Sequence, residues 1–206
     1  MNVFDKARAG MLFNAGSDPD VLSAYEHAMD LCHEYNQCRP SDAERRGSIL
    51  RELFRSIGKN YEIRSPFYCD VGFNITIGND FFSNYNLIIL DQAQVSIGNR
   101  VIIAPNCTMI TPTHPIDKDW RAAGVECARP IRIENDVWIG ANVTIFPGVT
   151  IGSGSVIGAG SLVNRDIPPN VIAIGTPCRV LREITREDRE KYSEEEIREA
   201  LRPEKY

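Results

Sequence analysis

The chain has 206 residues, 43% of them hydrophobic and 25% charged, with a formal net charge of −5. That length and composition suit one sizeable core in an ordinary globular protein. The acidic balance excludes a general nucleic-acid binder, which carries a basic face, and no apolar run approaches the roughly 20 residues of a membrane span.

The first segment, MNVFDKARAGMLF, has too short an apolar core for a secretory signal, so a cytoplasmic protein with no membrane partner is expected. Residues 1–60 read as helical. Asp18 is a candidate N-cap with Pro19 at the first helical position. Leu22, Tyr25, Met29, Cys32 and Tyr35 then recur at three- and four-residue spacing and predict one buried face. Ser41 to Glu44 has the form of a capping box opening a second helix, whose apolar face is Ile49, Leu50, Leu53, Phe54 and Ile57. His27 and His33, six apart, do not share a helical face and read as ordinary surface or packing residues.

Residues 61–182 follow a different rhythm. Every sixth residue from Ile133 is aliphatic: Ile139, Ile145, Ile151, Ile157, Val163. A second row, two places earlier, runs Ile131, Val137, Val143, Val149, Ser155, Ser161. The same step appears upstream as Val71, Ile77 and Ile89, then as Ile97, Ile103 and Met109. A fixed six-residue period is that of a parallel β-helix, in which three short strands and three turns close one triangular coil. A β-sandwich would not hold one phase over six units. The every-sixth aliphatic is expected inside the prism, and the glycine that often follows it is expected to make the corner. The period breaks once, at residues 111–130, and there the chain reads ITPTHPID. Residues 183–206 are highly charged; Ser193 to Glu196 offers a capping box for a short C-terminal helix that Pro203 would end.

The motifs ARAGMLF, CDVGFNITIGNDFFSNYNLIILD, APNCTMITPTHPID, VWIGANVTIFPGVTIGSGSVIGAGSLV and DIPPNVIAIGTPCRVLREI together resemble the sugar O-acetyltransferases of the hexapeptide-repeat superfamily, which holds the maltose, galactoside and nodulation acetyltransferases. The likeness covers roughly residues 5–183 and lies closest to the maltose branch. It implies a left-handed parallel β-helix with an N-terminal helical segment and a short C-terminal helix, assembled as a homotrimer with active sites between neighbours. It also implies acetyl transfer from acetyl-CoA to a hydroxyl of a sugar-like acceptor, without an acetyl-enzyme.

Acetyl transfer to a hydroxyl needs a base, and imidazole suits the task. His114 stands in the extruded loop between Pro112 and Pro115, which stiffen the backbone around it. The resemblance makes Asn84 a second catalytic residue that also binds acceptor, and it places Asp70, Asp91 and Gln92 on the acceptor; Glu126, on the extruded loop, is expected within reach of it. Gln92 stands where galactoside-type members carry a second carboxylate, a departure from galactoside specificity. On the donor side it implies the Ala141 amide as oxyanion donor, with Ala104, Ala159 and Gly160 leaving room for the pantetheine arm. Asn164, Arg165, Arg179 and Arg182 are then expected near CoA, with Arg179 and Arg182 on its phosphates.

Cys107 and Cys127 lack a basic neighbour in sequence, which argues against a thioester route. The six cysteines, at 32, 38, 69, 107, 127 and 178, form no C-x-x-C pair, so small buried thiols are expected and no metal site. A zinc carbonic anhydrase on the same coil needs three histidines, and the coil region has His114 alone. The alternatives left open are a different acceptor (an antibiotic, an amino sugar or a lipo-oligosaccharide) and a non-catalytic trimeric scaffold.

Overall fold

The computed structural model describes residues 1–201. Three helices come first: α1 (Val3–Arg8), α2 (Pro19–Gln37) and α3 (Ala43–Leu53). Asp18 caps α2, accepting from the amides of Asp20 and Val21 with Pro19 at the first position, as the sequence predicts. The buried face of α2 keeps Cys32 and Tyr35 of the five residues expected on it, but not Leu22 or Met29. Val21, Ala28, Leu31, Cys32 and Tyr35 are covered, whereas Leu22 is 44% and Met29 58% exposed. The cap of α3 also moves by one residue: Asp42, not Ser41, accepts from the Arg45 amide. The first strand, Ser56–Ile57, follows directly and pairs with Thr76 and Ile77.

From there the chain winds as a parallel β-solenoid. Its first face stacks Ser56–Ile57, Ile75–Ile77, Val95–Ile97, Ile131–Ile133 and Thr150–Ile151. The second stacks Glu62–Ile63, Phe82–Ser83, Ile102–Ile103, Trp138–Ile139, Val156–Ile157 and Val171–Ile174, closed by the antiparallel strand Arg179–Glu183. The third stacks Phe67–Cys69, Leu87–Leu90, Thr108–Ile110, Thr144–Ile145 and Leu162–Val163. Both sixfold rows point inward: Ile133, Ile139, Ile145, Ile151, Ile157 and Val163 are buried, and so are Ile131, Val137, Val143 and Val149. Ser155 and Ser161 continue the second row because each hydroxyl finds a carbonyl, of Pro168 and of Gly158 respectively.

Upstream of residue 111 the phase is not continuous. Ile57 lies under Ile77 and Ile77 under Ile97, so each early coil holds two residues beyond three hexapeptides. The inward partner of Ile77 on the preceding coil's third face is therefore Cys69, and Val71 lies in the corner, buried but off the strand row. All the extra residues fall at one edge of the prism, where face three turns into face one. There the chain inserts 70–74, then 90–94, and finally the whole of 111–130.

The glycines after the inward aliphatics do not make the left-handed turn. That conformation falls two places later, on Asn60, Asp80, Arg100 and Asp136 at one edge and on Asn86, Asn106 and Asn142 at another. Asparagine and aspartate tolerate it better than most residues. Glycine is needed because coils stack closely: a Cβ on Gly78 would lie 2.7 Å from the backbone of Gly98. Gly78→Ala should lower stability by about 1–3 kcal/mol through overpacking, read as a shift in a denaturant midpoint.

At the C-terminus there are two short helices rather than one, α5 (Arg186–Glu190) and α6 (Glu194–Ala200), where α4 denotes Lys118–Ala122 in the extruded loop. The Ser193–Glu196 capping box forms as expected. Pro203, expected to end the helix, lies outside the described residues. No helix among the described residues is long and apolar enough to cross a membrane.

Candidate active site

The loop at 111–130 has structure of its own. Pro112–Thr113 pairs antiparallel with Cys127–Ala128, and α4, capped by Asp117, fills the tip. The N-terminal segment straps this hairpin down. Phe13 and Glu126 exchange backbone hydrogen bonds of 2.9 and 2.8 Å, and Asn14 Nδ2 donates to the Ala123 carbonyl at 2.7 Å. A small core of Ala7, Phe13, Ala15, Val21, Ala93 and Ala128 holds strap, helix and corner together.

This folding turns His114 against the hairpin's other strand. Its Nδ1 lies 3.2 Å from the Val125 carbonyl, which can only accept, so Nδ1 carries the hydrogen and Nε2 keeps a free lone pair. The imidazole borders a cavity of about 480 Å³ shared with Tyr25, Asp70, Gln92, Glu126 and the backbone-exposing Gly16. That volume is in the range of small-molecule sites.

The polar groups of this cavity are short of partners. The Tyr25 hydroxyl and Gln92 Oε1 are buried and have no hydrogen-bond partner among the described residues. Buried polar atoms are normally satisfied, so two orphans on one cavity wall mark a place for a polar ligand. Burial, helped by the charges of Asp70, Glu126 and Asp91, pushes the Tyr25 phenol up and keeps it a donor. Burial and the neighbouring Asp91 and Glu126 carboxylates raise Asp70 to about 7. Near neutrality Asp70 therefore both donates and accepts.

Asp91, expected among the acceptor ligands, does not line the cavity. It is fully buried, and its oxygens accept from the amides of Asp70 (3.1 Å), Val71 (3.0 Å) and Asn74 (3.3 Å). Burial pushes its carboxyl up while those amides pull it down. It shapes the corner that presents Asp70. Asp70, Gln92, Glu126 and His114 are thus brought together as expected. Tyr25 is an addition that sequence reasoning assigned to a helix face, because nothing in an aromatic at helical spacing signals a cavity.

The raised Asp70 carboxyl has a consequence for stability. Its folded value lies above that of an unfolded aspartate, so its contribution is fully present below about pH 4 and is lost as pH rises through about 7. Asp70→Asn should remove that decline and gain about 1–3 kcal/mol over the parent at pH 8, measured by parallel denaturant melts from pH 4 to 8.

Asn84 is not in this cavity. It sits where face two turns into face three, with its Oδ1 taking the Tyr85 amide. The strand registers place Asn84, Ala104, Gly140 and Gly158 at one level of that edge, and Tyr85, Pro105, Ala141 and Ala159 at the next. Of the expected donor residues, Ala104, Ala141 and Ala159 therefore form a column on a second edge. The Ala141 N–H has no acceptor among the described residues. Asn164 and Arg165 follow Val163 at the end of face three, on the edge that carries His114 rather than in this column, and there Arg179 Nη1 lies 3.4 Å from Asn164 Oδ1. Arg165 is exposed. Arg182, expected on phosphate, is engaged elsewhere: Asp188 binds it through two contacts of 2.6 Å. That pair raises Arg182 and holds Asp188 well below the carboxylate range.

Cys107 is buried beside this edge with its thiol donating to the carbonyls of Ala104 and Gly140, both at 3.2 Å, and burial raises it. A thiol so placed is a poor nucleophile. No three His, Cys, Asp or Glu side chains among the described residues are grouped to hold a metal.

A solenoid of hexapeptide coils with a helical cap and an imidazole on its one extruded loop defines a hexapeptide acyltransferase, and comparison with known proteins makes the class specific. Residues 6–58 match the maltose acetyltransferase hexapeptide capping motif, and residues 130–165 match the bacterial transferase hexapeptide with six repeats. A putative acetyltransferase of Saccharomyces cerevisiae is 48% identical over 91% of this chain and 96% of its own. A galactoside acetyltransferase in complex with coenzyme A is 44% identical, with a TM-score of 0.88 over 94% of this chain and 96% of that one. A maltose O-acetyltransferase from Clostridium difficile 630 is 42% identical, with a TM-score of 0.88 over 90% of this chain and 98% of that one. The chain belongs to the hexapeptide-repeat sugar O-acetyltransferase family, and with that membership comes its enzyme class, an acetyl-CoA-dependent acyltransferase.

Proposed function

We propose that the protein transfers the acetyl group of acetyl-CoA to a hydroxyl of a sugar of the glucose or maltose kind, by direct attack with His114 as general base. The observation that carries this is the imidazole whose Nδ1 is tied to Val125 and whose other nitrogen borders a cavity with unpartnered polar atoms. In this reading the acceptor hydroxyl gives its proton to Nε2 as its oxygen attacks the thioester carbon. The carbonyl oxygen gains charge, which the Ala141 N–H stabilises. Collapse of the adduct expels the CoA thiolate, and the imidazolium returns the proton. Each sugar hydroxyl both donates and accepts, and so does the set formed by Tyr25 Oη, Asp70, Gln92 Oε1 and Glu126. Arg179 and Arg165 are the cations that remain for the CoA phosphates.

The two edges also bear on assembly. His114 stands at the edge between faces three and one, and Asn84 and Ala141 at the edge between faces two and three. One face, about 15 Å of extended chain, separates them, whereas proton transfer and oxyanion stabilisation act over hydrogen-bond distances. A threefold ring that sets one edge of each chain against the other edge of its neighbour completes the site. The outward ladder of face two supports such burial: Ile102 and Trp138 stand in register and are 48% and 53% exposed.

The test is acetyl-CoA-dependent thiol release against glucose, maltose, a thiogalactoside, glucosamine oligomers and chloramphenicol. Turnover is expected with glucose and maltose above the rest. Release with chloramphenicol alone, or no release from protein that binds CoA, would overturn the sugar reading.

A further inference from the structure

All six cysteines are free, and two of them meet. Cys32, on the inner face of α2, and Cys69, at the end of the first strand of face three, are 37 positions apart in sequence, yet their sulfurs lie 3.7 Å apart. Both are buried within the main core. A further cleft of about 270 Å³ is lined by Met29, His33 and Tyr68 together with Cys32 and Cys69. A disulfide needs its sulfurs about 2.05 Å apart, so closing the pair requires the sulfurs to approach by about 1.7 Å.

We propose that Cys32 and Cys69 are a redox-active pair that a peroxide converts into a disulfide, fastening α2 to the coil beside the acceptor cavity. The Cys32 thiolate attacks the outer peroxide oxygen, breaking the O–O bond. This leaves a sulfenic acid on Cys32 and releases the other half of the peroxide as an alcohol or water. Cys69 then attacks the sulfenyl sulfur, forming the S–S bond and expelling water. Two thiols are oxidised and one peroxide is reduced. The order follows from their environments. The contact with Cys69 at 3.7 Å lowers the Cys32 thiol, while that same contact and burial raise Cys69, so Cys32 attacks first and Cys69 resolves.

The pair is joined to the cavity on both sides. Cys69 directly precedes Asp70, and Cys32 lies on the helix that carries Tyr25 about two turns earlier. Drawing the sulfurs together shifts α2 against the strand, and with it the Tyr25 hydroxyl against the Asp70 carboxyl. Resting on the acceptor reading above, oxidation is expected to raise the acceptor KM several-fold and leave the acetyl-CoA KM unchanged.

The experiment treats the full chain with hydrogen peroxide and maps its peptides without reduction. The expected product is a cross-linked peptide pair holding Cys32 and Cys69, lighter by the two hydrogens lost and released by dithiothreitol. Cys32→Ala and Cys69→Ala each abolish it. A cross-link elsewhere, over-oxidation of Cys32 without a partner, or intact thiols overturns the proposal. A disulfide that leaves the acceptor KM unmoved overturns the coupling to the cavity. Mapping requires no turnover, so a failure of the sugar reading does not touch the result on the pair.

Discussion

Replacing His114 with alanine is expected to lower kcat by about 100- to 10,000-fold, the usual worth of a positioned general base, with acetyl-CoA binding unchanged. The Val125 carbonyl fixes which nitrogen is free, and no other base on the cavity wall has that combination of tautomer and access. Asp70 is raised by burial and its acidic neighbours, and Glu126 adds to that same field. The side chain of His114 is exposed in the single chain, so its loss should leave a thermal melt almost unmoved. That separates chemistry from folding. Initial rates at saturating acetyl-CoA, with a CoA titration in parallel, supply the measurement. A variant within tenfold of the parent rate would take His114 out of the proton transfer.

The coil was legible in the sequence because its signal is redundant. From Ile131 to Val163 two aliphatic rows repeat with one phase, and every member is buried where the period puts it. Upstream the same period misleads by an accident of spacing. Val71 precedes Ile77 by six, but two inserted residues separate them from the true inward sequence of Cys69 and Ile77. The inward place between Ile77 and Ile89 is held by Ser83, fully buried and hydrogen-bonded to its neighbour's carbonyl, which a search for aliphatics passes over.

The site was legible in part for a related reason. His114, Asp70, Gln92 and Glu126 lie on insertions at one edge, and insertions into a periodic chain are visible. Tyr25 belongs to a helix whose buried face is set by how it docks. Val21, Ala28 and Leu31 compete with Leu22 and Met29 at equally good spacing, and only tertiary contact decides. The role of Asp91 was hidden because a carboxylate that ties a corner and one that touches ligand look alike in sequence. The separation of Asn84 from His114 requires knowing which edge each residue occupies, and that depends on counting the insertions correctly.

A composite site predicts complementation between two dead variants. In His114→Ala the base is lost while the donor edge stays intact. In Ala159→Trp the reverse holds: the indole fills the exposed step of the donor edge beside Ala141, and His114 remains. Each homotrimer should be inactive. In a ring where each site takes its base from one chain and its donor edge from the next, every mixed trimer has one interface at which both are sound. Unfolding and reassembling the two variants in equal amounts makes three-quarters of the trimers mixed, with one site in three restored. The mixture should recover about one quarter of the parent activity. If base and donor edge worked within one chain, mixing would restore nothing, because each chain would still lack one of them. Trp138→Glu sharpens the distinction. The indole points away from the prism and is 53% exposed, so a charge there leaves the coil folded but opposes burial of the apolar ladder of face two. That variant should sediment as a monomer with parent-like β-structure and no turnover, whereas an active monomer would put both halves of the site back in one chain.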